Sequence, residues 1–165
     1  LLMMRKSEIA RPYLLKAIHL NPSLAMAHSC LGSTFILSGE PEKAITPLLV
    51  SIRLNPYDPY CFHYLGELAI AFHMQGQWKQ ACEFASRSLE LRRNYWYAKA
   101  IRIASLARSG AIEKARELAA EDNLSFSHEQ INWLPFIDKK WNDLLREGLE
   151  LAGCTVTGGG GGKSA

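Results

Sequence analysis

Apolar residues return every three or four positions along most of this chain, in runs separated by short polar breaks. Leu31, Phe35 and Ile36 mark one such run within 25–37, and Ala44, Ile45, Leu48, Leu49 and Ile52 mark the next. The pattern continues through Leu65, Leu68, Ala69 and Phe72, then Ala81, Phe84, Ala85 and Leu89. Ile103, Leu106 and Ala107, followed by Ile112, Ala115 and Leu118, close the series. Spacing of this kind predicts amphipathic helices and an all-α chain. The breaks carry matching punctuation. Gly39 is placed to end a helix in a left-handed turn, and Pro41 to occupy the first turn of the next. Asp58 is expected to cap the helix that follows, with Pro59 at its first position. Pro47 lies beyond a first turn, where proline costs about 3 kcal/mol without adjustment, so a kink or an irregular turn is expected there.

These signals repeat. Pro22 and Pro56, each preceded by Leu-Asn, stand 34 residues apart. The next interval is 37 residues, carrying Gly39 to Gly76, Ala44 to Ala81 and Leu54 to Leu91. The three extra residues fall at 59–61, which predicts a helix roughly one turn longer. The period then returns to 34, giving Gly110 and Ala115. Shifted back by 34, the same register puts Leu1 on Phe35, Ala10 on Ala44 and Leu14 on Leu48. The chain is therefore expected to open near the end of a first helix, as a partial repeat of a longer protein. Arg102 stands where a bulky apolar residue is wanted and is expected to point outwards.

In order, His28, Leu31, Gly32, Phe35, Ala44, Leu48 and Pro56 resemble the tetratricopeptide (TPR) pattern W-x2-L-G-x2-Y, A-x3-F, P. His28 replaces the Trp, Phe35 the Tyr and Leu48 the Phe. The resemblance implies a TPR-type α-solenoid of antiparallel helix pairs over 1–123, with a partial first repeat and about three pairs. A C-terminal helical cap is expected over 124–153. Ser127 and Gln130 form a capping-box start, Asp138 can cap a final helix, and Gly153 can close it. Trp133, Phe136, Trp141, Leu144, Leu145 and Leu149 are too apolar for an exposed tail. Residues 154–165 read as a flexible Gly-rich tail.

A closer resemblance covers about residues 10–153. L-N-P-Y-D-P, A-I-A-F-H-M-Q-G-Q-W-K-Q-A and the ending W-L-P-F-I-D…L-R-E-G-L-E-L-A-G occur in this order. The combination is similar to the C-terminal TPR region of bacterial class III adenylate/guanylate cyclase-like proteins, related to regions that follow winged-helix domains in some regulators. Arg93, where a Pro is common, and Arg102 depart from the pattern. The resemblance implies a non-catalytic, regulatory protein–protein interaction scaffold, with any cyclase domain upstream. Such a scaffold binds a peptide or helix in a concave groove lined by the first helix of each pair. By repeat position the lining is Ser29, Ser33, Ile36, His63, Ile70, His73, Tyr97, Ala104 and Arg108. The alternative is self-association through the incomplete first pair, using Leu1, Leu2, Leu14 and Leu15.

Composition narrows the rest. With 165 residues, 48% of them hydrophobic, the chain suffices for one domain with a continuous core. No run approaches the ~18 apolar residues of a membrane span, and Leu-Leu-Met-Met before Arg5 is too short for a signal peptide. Cys30, Cys61, Cys82 and Cys154 show no C-x-x-C spacing, which suits core cysteines in a reducing, cytoplasmic setting. The histidines form no H-x-x-x-H pair, and no Ser or Cys stands beside a base, so no metal, cofactor or catalytic site is expected. The tail T-G-G-G-G-G-K-S has Thr157 where a P-loop needs its first glycine, so a linker is expected.

Charge is uneven although the net is only +3. Residues 87–116 hold eight basic side chains against Glu90 and Glu113, and 121–150 hold seven acidic ones against Lys139, Lys140 and Arg146. These are solvated helix faces, or the acidic end folds back on the basic repeat, or a basic groove awaits an acidic peptide or a carboxylate terminus. Sparse aromatics among the basic residues disfavour nucleic acid.

Overall fold

The computed structural model of the chain describes residues 2–121, 125–132, 136 and 138–157. Among them are nine helices and one short parallel strand pair. The helices are α1 (Leu2–Leu20), α2 (Ala25–Leu37), α3 (Pro41–Leu54), α4 (Cys61–Met74) and α5 (Trp78–Leu91). They continue as α6 (Trp96–Arg108), α7 (Ile112–Glu121), α8 (His128–Ile131) and α9 (Lys140–Leu151). The strands are β1 (Phe126–Ser127) and β2 (Val156–Thr157).

The glycines end helices as their chemistry requires. Gly39, Gly76 and Gly110 have φ of 76°, 71° and 90°, and Gly153 after α9 has 77°. In α2 to α7 each helix packs on the next, and α2, α4 and α6 also touch one another directly as a row. The core follows that row: Leu48, Leu65, Leu68, Ala69, Ile70, Ala98, Ile101 and Ala104 are all within 3% of complete burial. Burying each leucine or isoleucine side chain contributes about 1.5–3 kcal/mol. Gly32 sets the closeness of α2 to α3, because a Cβ there would lie 2.5 Å from Leu48 Cγ.

Three sequence expectations change. The chain is expected to open near the end of a first helix, which implies a turn before the positions in register with Ala44 and Leu48, but α1 is continuous from Leu2 to Leu20. The position equivalent to Gly39 is Arg5 and that equivalent to Pro41 is Ser7, so the residues that end and restart a helix are missing. At Pro47 the helix is not interrupted. That side chain is buried inside α3, which runs to Leu54. Nor is α4 a turn longer than α2; it spans 14 residues against 13. The extra residues form a turn before it, in which Asp58 Oδ1 accepts from Tyr60 N at 2.8 Å and Asp58 O from Cys61 N at 2.9 Å.

At the C-terminal end the Ser127–Gln130 capping box forms as read, while the N-cap position of α9 is Lys139 and carries no side-chain cap bond. Ser127 N donates to Gln130 Oε1 at 2.8 Å, and Gln130 N to Ser127 Oγ at 3.0 Å. Asp138 Oδ1 accepts from Lys140 N at 2.9 Å at the start of α9. Phe126 pairs with Val156, and Cys154 is buried, so residues 154–157 belong to the fold instead of a loose tail. Trp133 and the glycines of 158–162 lie outside the described residues.

Candidate functional site

α9 does not extend the row of helices. Its main packing partner is α6. A Cβ at Gly148 would meet Ala104 Cβ at 2.7 Å and Ala104 O at 2.9 Å, so the two backbones touch where glycine permits it. One turn along α6, Arg108 Nη2 donates to Leu144 O at 3.4 Å and pairs with Glu147 Oε2 at 2.5 Å. At the other end of α9, Trp141 lies against Gly39, whose added Cβ would stand 3.2 Å from Trp141 Nε1. The helix thus reaches from the α2–α3 turn to the middle of α6.

The expected groove lining therefore divides into two halves. Ile36, Ile70, His73, Tyr97 and Ala104 are each no more than 2% exposed. These five are corrected from groove-lining to interior residues. Ala104 lies directly under α9, and Arg108 is engaged by it. His73 Nδ1 is 2.8 Å from Ser105 Oγ, and its ring packs edge-on to Trp78 at 5.1 Å. Burial first, and then the positive Arg108 nearby, push His73 down to about 3, partly opposed by the Leu144 carbonyl. His73 is therefore a neutral core residue.

The other three, of which Ser29 is itself buried and Ser33 and His63 are half-buried, sit at the wall of a depression. Ser29, Ser33 and His63 come together around a shallow cavity of about 360 Å³, with Met26, Cys30, Tyr60 and Tyr64 completing its wall. Ser29 Oγ donates to Met26 O at 2.9 Å, and Ser33 Oγ lies within reach of both Ser29 O, at 3.1 Å, and the Glu67 carboxyl. His63 Nδ1 lies 2.9 Å from the Tyr95 hydroxyl, and its Nε2 lies 3.6 Å from Glu67 Oε1.

Glu67 is the residue that pattern reading missed. It is 7% exposed, and Oε2 has no hydrogen-bond partner among the described residues. Burial raises its carboxyl to about 7, with the Ser33 hydroxyl pulling the other way. Burial lowers His63, so the pair meets at neutral pH as a polar contact with an uncharged imidazole. Tyr95 and Tyr97, across from α4, are both raised, first by burial and then by neighbouring anionic groups including Glu67. A signal was available in the sequence. Glu67 is a lone carboxylate inside Leu65-Gly66-Glu67-Leu68-Ala69, one turn after His63.

Other expected features fall elsewhere. Arg102 is half-buried and lines two shallow cavities beside α5 and α7, away from the α2–α4 wall. The four cysteines are free thiols. No group of three or more His, Cys, Asp or Glu comes together among the described residues, and no helix among them is long and apolar enough to cross a membrane. No protein-family model matches the chain, and comparison with curated proteins gives no match either.

Proposed function

We propose that this chain is a non-catalytic protein–protein interaction scaffold, a TPR-type α-solenoid that takes a peptide or helix along the face of α2, α4 and α6. The observation that carries this reading is the seating of α9. A helix with a glycine at its point of closest approach and a carboxylate toward Arg108 already lies on one half of that face. The other half keeps a depression with polar groups in its wall. Recognition by such a surface relies on shape and a few placed polar groups, with an interface of modest size and an affinity on the order of micromolar. The resemblance to cyclase-associated TPR regions supports a regulatory part of a larger, cytoplasmic bacterial protein.

Selection of binders from a random peptide library, followed by amide-exchange mapping on the full chain, tests the reading. Protection is expected in the inner turns of α2 and α4. Binders that protect only α1 or the α5–α7 side would remove the groove from consideration.

A second reading is self-association through α1. Ile9, Tyr13 and Leu20 are 62%, 72% and 73% exposed, and Leu15 is 52% exposed, whereas Leu14 is half-buried. The side chains of Leu1 and Leu2 lie outside the described residues. A scattering mass that rises from one to two chains with concentration, and stays at one chain in Tyr13→Glu, would favour this reading.

A further inference from the structure

We propose that the cavity where the end of α5 meets α6 and α7 binds a compact organic carboxylate with a short apolar tail, Arg102 being its main partner. None of the residues lining this cavity belongs to the expected groove, so the inference stands apart from the groove reading.

The cavity measures about 230 Å³. Leu89 of α5, Ile103 of α6 and Leu118 of α7 supply its apolar wall. Around them stand Arg93 and Asn94 of the α5–α6 turn, Lys99 and Arg102 of α6, and Glu121 at the end of α7. The repeat register shows what is unusual here. Shifted back by 34 residues, Lys99 and Arg102 fall on Leu65 and Leu68 of α4, both fully buried. A further shift of 37 puts Arg102 on Leu31, buried again. Where two earlier helix pairs bury leucine, the α6–α7 pair sets a guanidinium beside an apolar hollow. Arg102 is half-buried, and among the described residues its guanidinium makes no hydrogen bond or ion pair. Lys99 has contacts of its own, so the charge argument uses Arg93 and Arg102 against Glu121. On its other side Arg102 borders a second cavity, whose wall holds Lys79 and Lys114 against Glu83. The positive excess therefore continues across α5 and α7.

Each part of the wall excludes a class of ligand. An ammonium would meet two guanidinium groups. A neutral apolar molecule would strip water from Arg102 without offering it an acceptor. Phosphate would satisfy the arginines, but it would leave the Leu89–Ile103–Leu118 wall against water and set up to two negative charges beside Glu121. A carboxylate matches the planar fork of Arg102 with both oxygens, and an alkyl tail covers the apolar wall. The volume suits a tail the size of one side chain, since sites for drug-sized molecules run to about 300–1,000 Å³. A free branched acid and the C-terminal residue of a peptide share this chemistry.

The full chain, carrying carbon-13 in its leucine and isoleucine methyl groups, should be titrated at neutral pH and constant ionic strength with isocaproate, isocaproamide, acetate and inorganic phosphate. Saturable shifts of the Leu89, Ile103 and Leu118 methyls are expected with isocaproate. The amide, acetate and phosphate should each bind at least about tenfold more weakly. Arg102→Leu restores the residue of the two earlier repeats, so it should fold while weakening isocaproate at least about tenfold. Arg102→Gln keeps a polar side chain and should weaken it likewise. Equal binding of the amide, tighter binding of phosphate, or undiminished binding to both variants would overturn the site, as would no saturable shift with isocaproate. A tripeptide ending in leucine separates the sources. If it binds more tightly than isocaproate and loses that affinity on C-terminal amidation, the site stands and takes a peptide terminus. If isocaproate binds more tightly, the site stands and takes a free acid.

Discussion

Gly148 of α9 and Ala104 of α6 meet with no room for one more carbon. A β-carbon on Gly148 would lie 2.7 Å from Ala104 Cβ, 2.9 Å from its carbonyl oxygen and 3.0 Å from its Cα. Two of those atoms are backbone inside a fully buried stretch of α6, so neither can swing aside. Gly148→Ala should therefore lift α9, at a cost of about 1–3 kcal/mol in chemical denaturation. Gly148→Leu should detach it, with Trp141 emission shifting to the red as that ring leaves Gly39. A Gly148→Ala variant as stable as the original would mean that α9 is not held at this point.

Arg108 and Glu147 are the polar counterpart of that contact. Their ion pair is a weak contributor in itself, since Glu147 is 61% exposed and surface pairs contribute about 0–1 kcal/mol. The arginine side chain is only 23% exposed and also reaches Leu144 O. Charge reversal is consequently asymmetric. Glu147→Arg is expected to lose at most about 1 kcal/mol. Arg108→Glu should lose about 1–3 kcal/mol, because it abandons a part-buried acceptor and sets two carboxylates together. The double reversal should recover only the electrostatic part, which a double-mutant cycle in denaturant measures.

How much of this was legible beforehand depends on the range of the interaction. α2 begins at Ala25 and ends at Leu37 as its apolar spacing and Gly39 require, and the Ser127–Gln130 capping box forms from local geometry. Such features are set within one turn of helix. The turn expected within α1 failed for an equally local reason, since no glycine stands where the register put one. Groove membership was different. Ile36, Ile70 and Ala104 occupy lining positions by repeat count, but α9 and the neighbouring helices decide what is exposed. The basic excess within 87–116 and the acidic excess within 121–150 left contact between the segments as one of the open expectations, and Arg108–Glu147 joins them. Nothing in the spacing said which helix would receive α9. That depended on one glycine meeting one alanine.

Glu67 gives the protein an unusual response to neutral pH. Its folded carboxyl titrates at about 7, above the ordinary 4.5, because burial penalises the anion. The folded state thus holds its proton over a range where the unfolded chain has released it. The stability this group contributes is present below pH 4.5 and is lost as pH rises through 7. Glu67→Gln should flatten that window, and the difference between the two pH profiles should approach about 3 kcal/mol at pH 8 as an upper bound. Matching profiles of unfolding free energy against pH would show that the carboxylate is hydrated in the native state.

His73 acts in the opposite sense, and comparison of variants separates the two. Burial and the Arg108 charge hold the folded imidazole at about 3, against the ordinary 6.5. The unfolded chain binds a proton between those values and the native state does not. The contribution is therefore complete above pH 6.5 and is lost as pH falls from there toward 3, by up to about 4–5 kcal/mol. His73→Asn retains a side-chain polar atom within reach of Ser105 Oγ and removes the titration. It should be less stable than the original at pH 7 because of the smaller side chain, yet lose less on acidification between 6.5 and 4.5. Arg108→Gln supplies the cross-check. Without the like charge, His73 protonates more readily, so acid unfolding should begin at lower pH in that variant than its loss of stability at neutral pH would imply. If instead the profiles of the original, His73→Asn and Arg108→Gln run parallel, the imidazole is already charged in the native state, and its place in the core is wrongly assigned.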